Sequence, residues 1–115
     1  MAEKRYGKAI ADFNEAIRID PGDAQGYREL AQLLATCPEL NLRSAEQATI
    51  HAKKACELTR WKDPAALDSL AAACAAARDF ESAVNWQIKA NALSRSPLEQ
   101  KEGEARLNRY REKRP

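Results

Sequence analysis

Residues 6–34 read YGKAIADFNEAIRIDPGDAQGYRELAQLL. Ala9, Phe13 and Ala16 follow one another at spacings of four and three, with Ile10 and Ile17 beside them. Such spacings keep side chains on one side of a 3.6-residue turn, so an amphipathic helix is predicted over 6–19. Asp20-Pro21-Gly22-Asp23 stops it: Pro21 cannot donate a helical hydrogen bond and biases Asp20 away from helical backbone. Asp23 is placed to cap a second helix, which carries Tyr27, Leu30, Ala31 and Leu34 on one stripe.

The same alternation of stripe and break continues outward from this stretch. Thr36-Cys37-Pro38 closes the second helix, and a loop is predicted over 39–43. Ser44-Ala45-Glu46-Gln47 has the S-x-x-Q form of a capping box and opens a helix bearing Ala48, Ala52, Ala55 and Leu58. Trp61-Lys62-Asp63-Pro64 is the next break, with Asp63 suited to the N-cap and Pro64 to the first turn. Leu67, Leu70, Ala71 and Cys74 then repeat the spacing of Tyr27, Leu30, Ala31 and Leu34. Asp79 caps a fifth helix with Phe80, Ala83, Val84, Gln87, Ala90 and Leu93. Ser96-Pro97-Leu98-Glu99 opens a sixth, running to about residue 113, with Leu98, Ala105, Leu107 and Tyr110 as its apolar side chains. Gly103 within it costs about 1 kcal/mol relative to alanine. The expectation is an all-α chain of six helices, whose short connections make neighbours antiparallel.

Composition agrees. At 115 residues the chain suits one domain, residues 1–115, and charged residues are many while Gly and Pro are few. The net charge of +2 creates no global field for nucleic acid or membrane. The tail is more basic: residues 94–115 hold seven basic and four acidic side chains. Its glutamates favour a solvated helix over a nucleic-acid arm. No apolar run is long enough for a transmembrane helix, and the N-terminus lacks the core of a signal peptide. The cytoplasm is therefore the default compartment.

These spacings resemble the tetratricopeptide repeat, a 34-residue helix-turn-helix unit. Residues 3–23 match its second half through Tyr6, Ala9, Phe13, Ala16 and Pro21. Residues 24–62 match a whole unit, as do residues 63–95 through Leu67, Leu70, Ala71, Phe80, Ala83 and Ala90. Residues 96–114 then form a C-terminal capping helix. Ala9 to Ala48 is 39 residues and Ala48 to Ala83 is 35, so the excess over 34 falls in predicted loops, where insertions are tolerated. The aromatic of the second helix is Phe13 in the first unit, but Ala52 and Gln87 take its place later. The closing proline is missing after Leu58 and Leu93.

The resemblance implies an α-solenoid of antiparallel helix pairs that binds another protein or peptide in a concave face. The groove-facing candidates it implies are Gln25, Arg28, Gln32 and Thr36, then Asp68, Ala72 and Ala75. A clamp for a terminal carboxylate is not expected, since Gln32, Asp68 and Ala72 do not supply the cations that would join Arg28. The chain opens mid-unit, leaving Ile10, Phe13 and Ile17 short of cover on one side. Either the chain is cut from a longer array, or a second copy docks there as a homodimer, or the following helix covers most of the stripe. RNA binding through Arg106, Arg109, Arg111, Lys113 and Arg114 is disfavoured, because only Tyr110 could stack on a base.

Nothing nominates an enzyme. The lone His51 has no nucleophile or carboxylate partner in the sequence, and no cofactor or metal motif is present. Cys37, Cys56 and Cys74 lack metal or C-x-x-C spacing. Cys56 and Cys74 read as small core residues, and Cys37 as the one most exposed. Trp86 is expected to seal the last repeat with Leu93, and Trp61 to pin its loop to the body or to serve as a binding anchor.

Overall fold

The computed structural model describes residues 2–37, 44–94 and 96–115. Those residues form six α-helices and no strand: α1 (Ala2–Ile19), α2 (Ala24–Thr36), α3 (Ala45–Leu58), α4 (Pro64–Ala76), α5 (Phe80–Ala92) and α6 (Pro97–Arg111). The loop predicted over 39–43 lies outside the described residues.

α1 begins four residues before the stretch predicted over 6–19, and each of the other five helices starts where the sequence places a cap. The side chain of Asp23 accepts the Gln25 N–H, Ser44 that of Gln47, Asp63 that of Ala65, Asp79 that of Ser82 and Ser96 that of Glu99. These bonds satisfy amides that the first turn leaves without an intrahelical partner. The helix ends follow a different rule. Three of them close through left-handed residues that are not glycine: Arg60 after α3, Arg78 after α4 and Lys113 after α6, with φ of 56°, 64° and 61°. In each case the left-handed residue donates to the carbonyl three back, and the next residue donates to the carbonyl five back, as Arg78 does to Ala75 and Asp79 to Cys74. This is the Schellman closure, usually built on glycine. Here a basic side chain at the helix C-terminus offsets part of the backbone cost.

Each helix packs on the next in sequence, and α2 also packs directly on α4. The core runs through α2, α3, α4 and α5, with Leu30, Leu67 and Leu70 fully buried among many alanines. Alanine permits close helix approach, and bulkier residues (Phe13, Trp61, Phe80 and Trp86) pack around the margin. α1 crosses α2 at Gly26, where an added Cβ would stand 3.4 Å from Ile17 Cγ1.

Three expectations are corrected, those for Cys37, Ala75 and Gly103. Cys37 is 1% exposed, not the open thiol of the three. Ala75 is also 1% exposed, because α4 touches helices on several sides. Trp86 stacks on Trp61, with ring centres 5.2 Å apart and planes 24° apart, with Lys89 above both rings. Trp61 thus does pin its turn to the body, at a left-handed φ of 60°. Gly103 is not a simple interruption: a Cβ there would lie 1.9 Å from Asn91 Oδ1, so its absence lets α6 close on α5.

Candidate functional site

One face of the molecule is grooved. Three cavities of about 530, 300 and 250 Å³ share walls: Ala65, Asp68, Glu102 and Arg106 line the first two, and Gln32 and Arg106 line the second and third. Their helical lining residues come from α2, α4 and α6 alone. The rest come from the turns that follow α3 and α5 and from the C-terminus.

The walls are tied together by ion pairs between these alternate helices. Arg28 of α2 meets Asp63, the cap of α4, at 3.2 Å, and Arg106 of α6 meets Asp68 of α4 at 3.2 Å. The Ser69 hydroxyl of α4 donates to the Arg28 carbonyl at 3.3 Å. Beneath the groove, fully buried Gln87 donates from Nε2 to Asp68 Oδ1 at 2.8 Å and to Asn91 Oδ1 at 2.9 Å. Asp68 and Asn91 accept the protons of its amide, which offsets part of the cost of burying a polar side chain there.

Of the residues expected on the concave face, Arg28, Gln32, Thr36, Asp68 and Ala72 line this groove. Gln25 does not; it is exposed on the first turn of α2 and its amide donates to Glu29 at 3.2 Å. Ala75 is in the core. Sequence reasoning missed Glu29, Lys62, Asp63 and Ser69 as lining residues and, on α6, Glu99, Glu102, Arg106, Arg109 and Tyr110. Treating α6 as a solvated cap hid the latter five. The helix count held the signal, since a sixth helix falls in the same row as the second and fourth.

Burial is the main force raising the Asp68 pKa; Glu99 adds to it, while Arg106 and Gln87 offset part. Burial also pushes the Cys56 thiol up to about 12 and that of Cys74 to about 11. Both therefore stay protonated and are poor nucleophiles at neutral pH. His51 is half-buried, its ring 6.0 Å from that of Tyr27, and burial lowers its pKa. Tyr110 is 2% exposed, and Arg106 is committed to Asp68. The side chain that could have stacked on a base is thus enclosed. Among the described residues no cluster of His, Cys, Asp or Glu is arranged to hold a metal ion, and no helix is long and apolar enough to cross a membrane.

Ile10, Phe13 and Ile17 are half-buried and pack toward the core. Among the helix pairs in substantial contact, α1 meets α2 alone. Comparisons with known protein families and with curated proteins find no significant match to this sequence.

Proposed function

We propose that the chain is a tetratricopeptide-type interaction module, working in the cytoplasm as a binding scaffold, that holds a segment of another protein in the groove of α2, α4 and α6. One observation carries the reading: alternate helices supply the groove walls, while α1, α3 and α5 supply none. Stacked helical hairpins produce this division, since the first helices of successive hairpins line one side and the second helices the other. The direct packing of α2 on α4 supports the same stacking. Open cavities, with no activated nucleophile among the described residues, suit binding better than catalysis.

A photo-crosslinking residue at Gln32 tests this in cells. Adducts to another protein are expected from position 32, and not from Lys54 on α3. Equal labelling from both positions would contradict it. Self-association through α1 is the second reading, favoured by the partial exposure of Ile10, Phe13 and Ile17 and by the exposure of Ile19 (70%). Light scattering after size exclusion decides it: Phe13→Asp should halve the mass of a dimer built on that face, and a monomer mass for the unmodified chain ends the reading.

A further inference from the structure

We infer that a second copy of this chain covers the open side of α1, its own α1 lying antiparallel across a two-fold axis that passes between Asp12 and Phe13; this rests on the second reading above, self-association through α1. The molecule itself shows what such a helix face meets elsewhere. Ala9 and Ala16 stand 39 residues before Ala48 and Ala55 of α3, which stand 35 before Ala83 and Ala90 of α5. The four later alanines are at most 1% exposed. Ala9 is half-buried and Ala16 is exposed. α3 lies against α2 and α4, and α5 against α4 and α6, whereas among the helix pairs in substantial contact α1 meets only the helix that follows it. Ile17 lies over Gly26 of α2, and Ala9 and Ala16 sit about 100° round the helix from Ile10 and Ile17. The open side of α1 thus corresponds to the side that a preceding helix covers on α3 and α5, and a helix is what fits it.

The charges along that side point to a second copy as the occupant. Arg5, Ala9, Ala16 and Asp20 follow at spacings of four, seven and four, so they share one stripe whose spacing reads the same from either end. Asp20 belongs to the stripe because its N–H still donates to the Ala16 carbonyl, at 2.9 Å. Arg5 and Asp20 are both exposed. An antiparallel pair centred on the stripe sets Arg5 level with the partner's Asp20, and Ala9 level with the partner's Ala16. Opposite charges then meet at both ends, and the small side chains between them let the two helices approach closely beside half-buried Phe13. A parallel pair in register would instead set like charges level at both ends. The antiparallel pair uses the same patch twice, so the assembly closes as a dimer. None of the four stripe residues lines the three cavities, so pairing leaves the groove walls untouched.

Analytical ultracentrifugation and cysteine crosslinking of the full chain test the inference. The unmodified chain is expected to sediment as a dimer. Under mild oxidation, Ala9→Cys and Ala16→Cys chains should crosslink when mixed, and neither should crosslink alone, because like positions lie about 10 Å apart along the axis. The three native cysteines are buried and do not compete. Arg5→Glu should weaken the dimer about tenfold, and Asp20→Arg likewise. Both changes in one chain should recover the affinity, which damage to the helix would not do; circular dichroism confirms that each variant folds. A monomer mass at every concentration would overturn this inference together with the self-association reading, and would leave the face to another protein. A dimer in which Ala9→Cys or Ala16→Cys crosslinks with itself, in which the mixture does not crosslink, or in which the double charge variant is no tighter than the singles would overturn the antiparallel pairing while self-association stands.

Discussion

α4 and α1 stand at opposite extremes of burial. Nine residues of α4 are buried, including Leu67, Leu70 and a run of small side chains from Ala71 to Ala75. From residue 5 onward α1 has none. Side-chain size does not explain this, since α1 carries isoleucines and a phenylalanine while α4 is mostly alanine. Neighbours explain it. α4 packs against α2, α3 and α5, whereas α1 rests on α2. A helix apolar on all sides is suited to the middle of a stack, and one with a single apolar stripe to its edge. Small residues in the centre bring backbones close, so burial there is complete although each side chain contributes little area.

The largest effect that can break this comparison is in the centre. Leu70→Ala should cost about 3 kcal/mol in chemical denaturation, because the fully buried site cannot collapse around the void. Phe13→Ala, half-buried at the edge, should cost about 1 kcal/mol. If the two losses are equal, α1 is not peripheral.

Gly103 sharpens the comparison at the other edge. Gly103→Ala is expected to destabilise by about 1–2 kcal/mol, since the new Cβ collides with an Asn91 amide already held by Gln87. In an Asn91→Ala background the same change should become stabilising by up to about 1 kcal/mol, the helix preference of alanine over glycine. A loss of the same size in both backgrounds would show that α6 does not close on α5 at that point.

Asp68 is the one carboxylic acid of α4, and its pKa is raised. The folded state therefore holds its proton more tightly than the unfolded state does. Its contribution is full below the unfolded value of about 3.9 and is lost as pH climbs through the raised folded value. Asp68→Asn should remove that decline, so the variant's Tm relative to the unmodified chain rises with pH above about 4. A Tm difference independent of pH would contradict the burial of this carboxyl. The smallest effect is at a helix end. Arg60→Gly should stabilise by less than about 1 kcal/mol, relief of the left-handed backbone outweighing the lost dipole contact. A loss of stability would mean that the basic side chain outweighs its backbone.

Where helices begin was legible, because a cap is a local bargain between one side chain and amides two or three residues on. Asp23, Ser44, Asp63, Asp79 and Ser96 all stand where the sequence places them. The six-helix order was legible for the same reason. Contacts between distant segments were not. The Asp68–Arg106 pair joins residues that no local pattern relates, and the α6 wall of the groove was lost with it. Ala75 was assigned to the concave face by analogy of position, and the neighbours of α4 bury it. The Trp61–Trp86 stack likewise spans the whole of α4, a contact that no local pattern announces. The left-handed ends after α3, α4 and α6 gave no warning, since glycine is absent from all three.

The alternation of helices around the groove is tested most directly by nuclear Overhauser contacts in solution. Cross-peaks are expected from Arg28 to Asp63 and Ser69, and from Arg106 to Asp68, placing α2 and α6 on either side of α4. Contacts from α2 to α5 in place of those to α4, or from Arg106 to residues of α3, would contradict the shared face on which the binding groove depends.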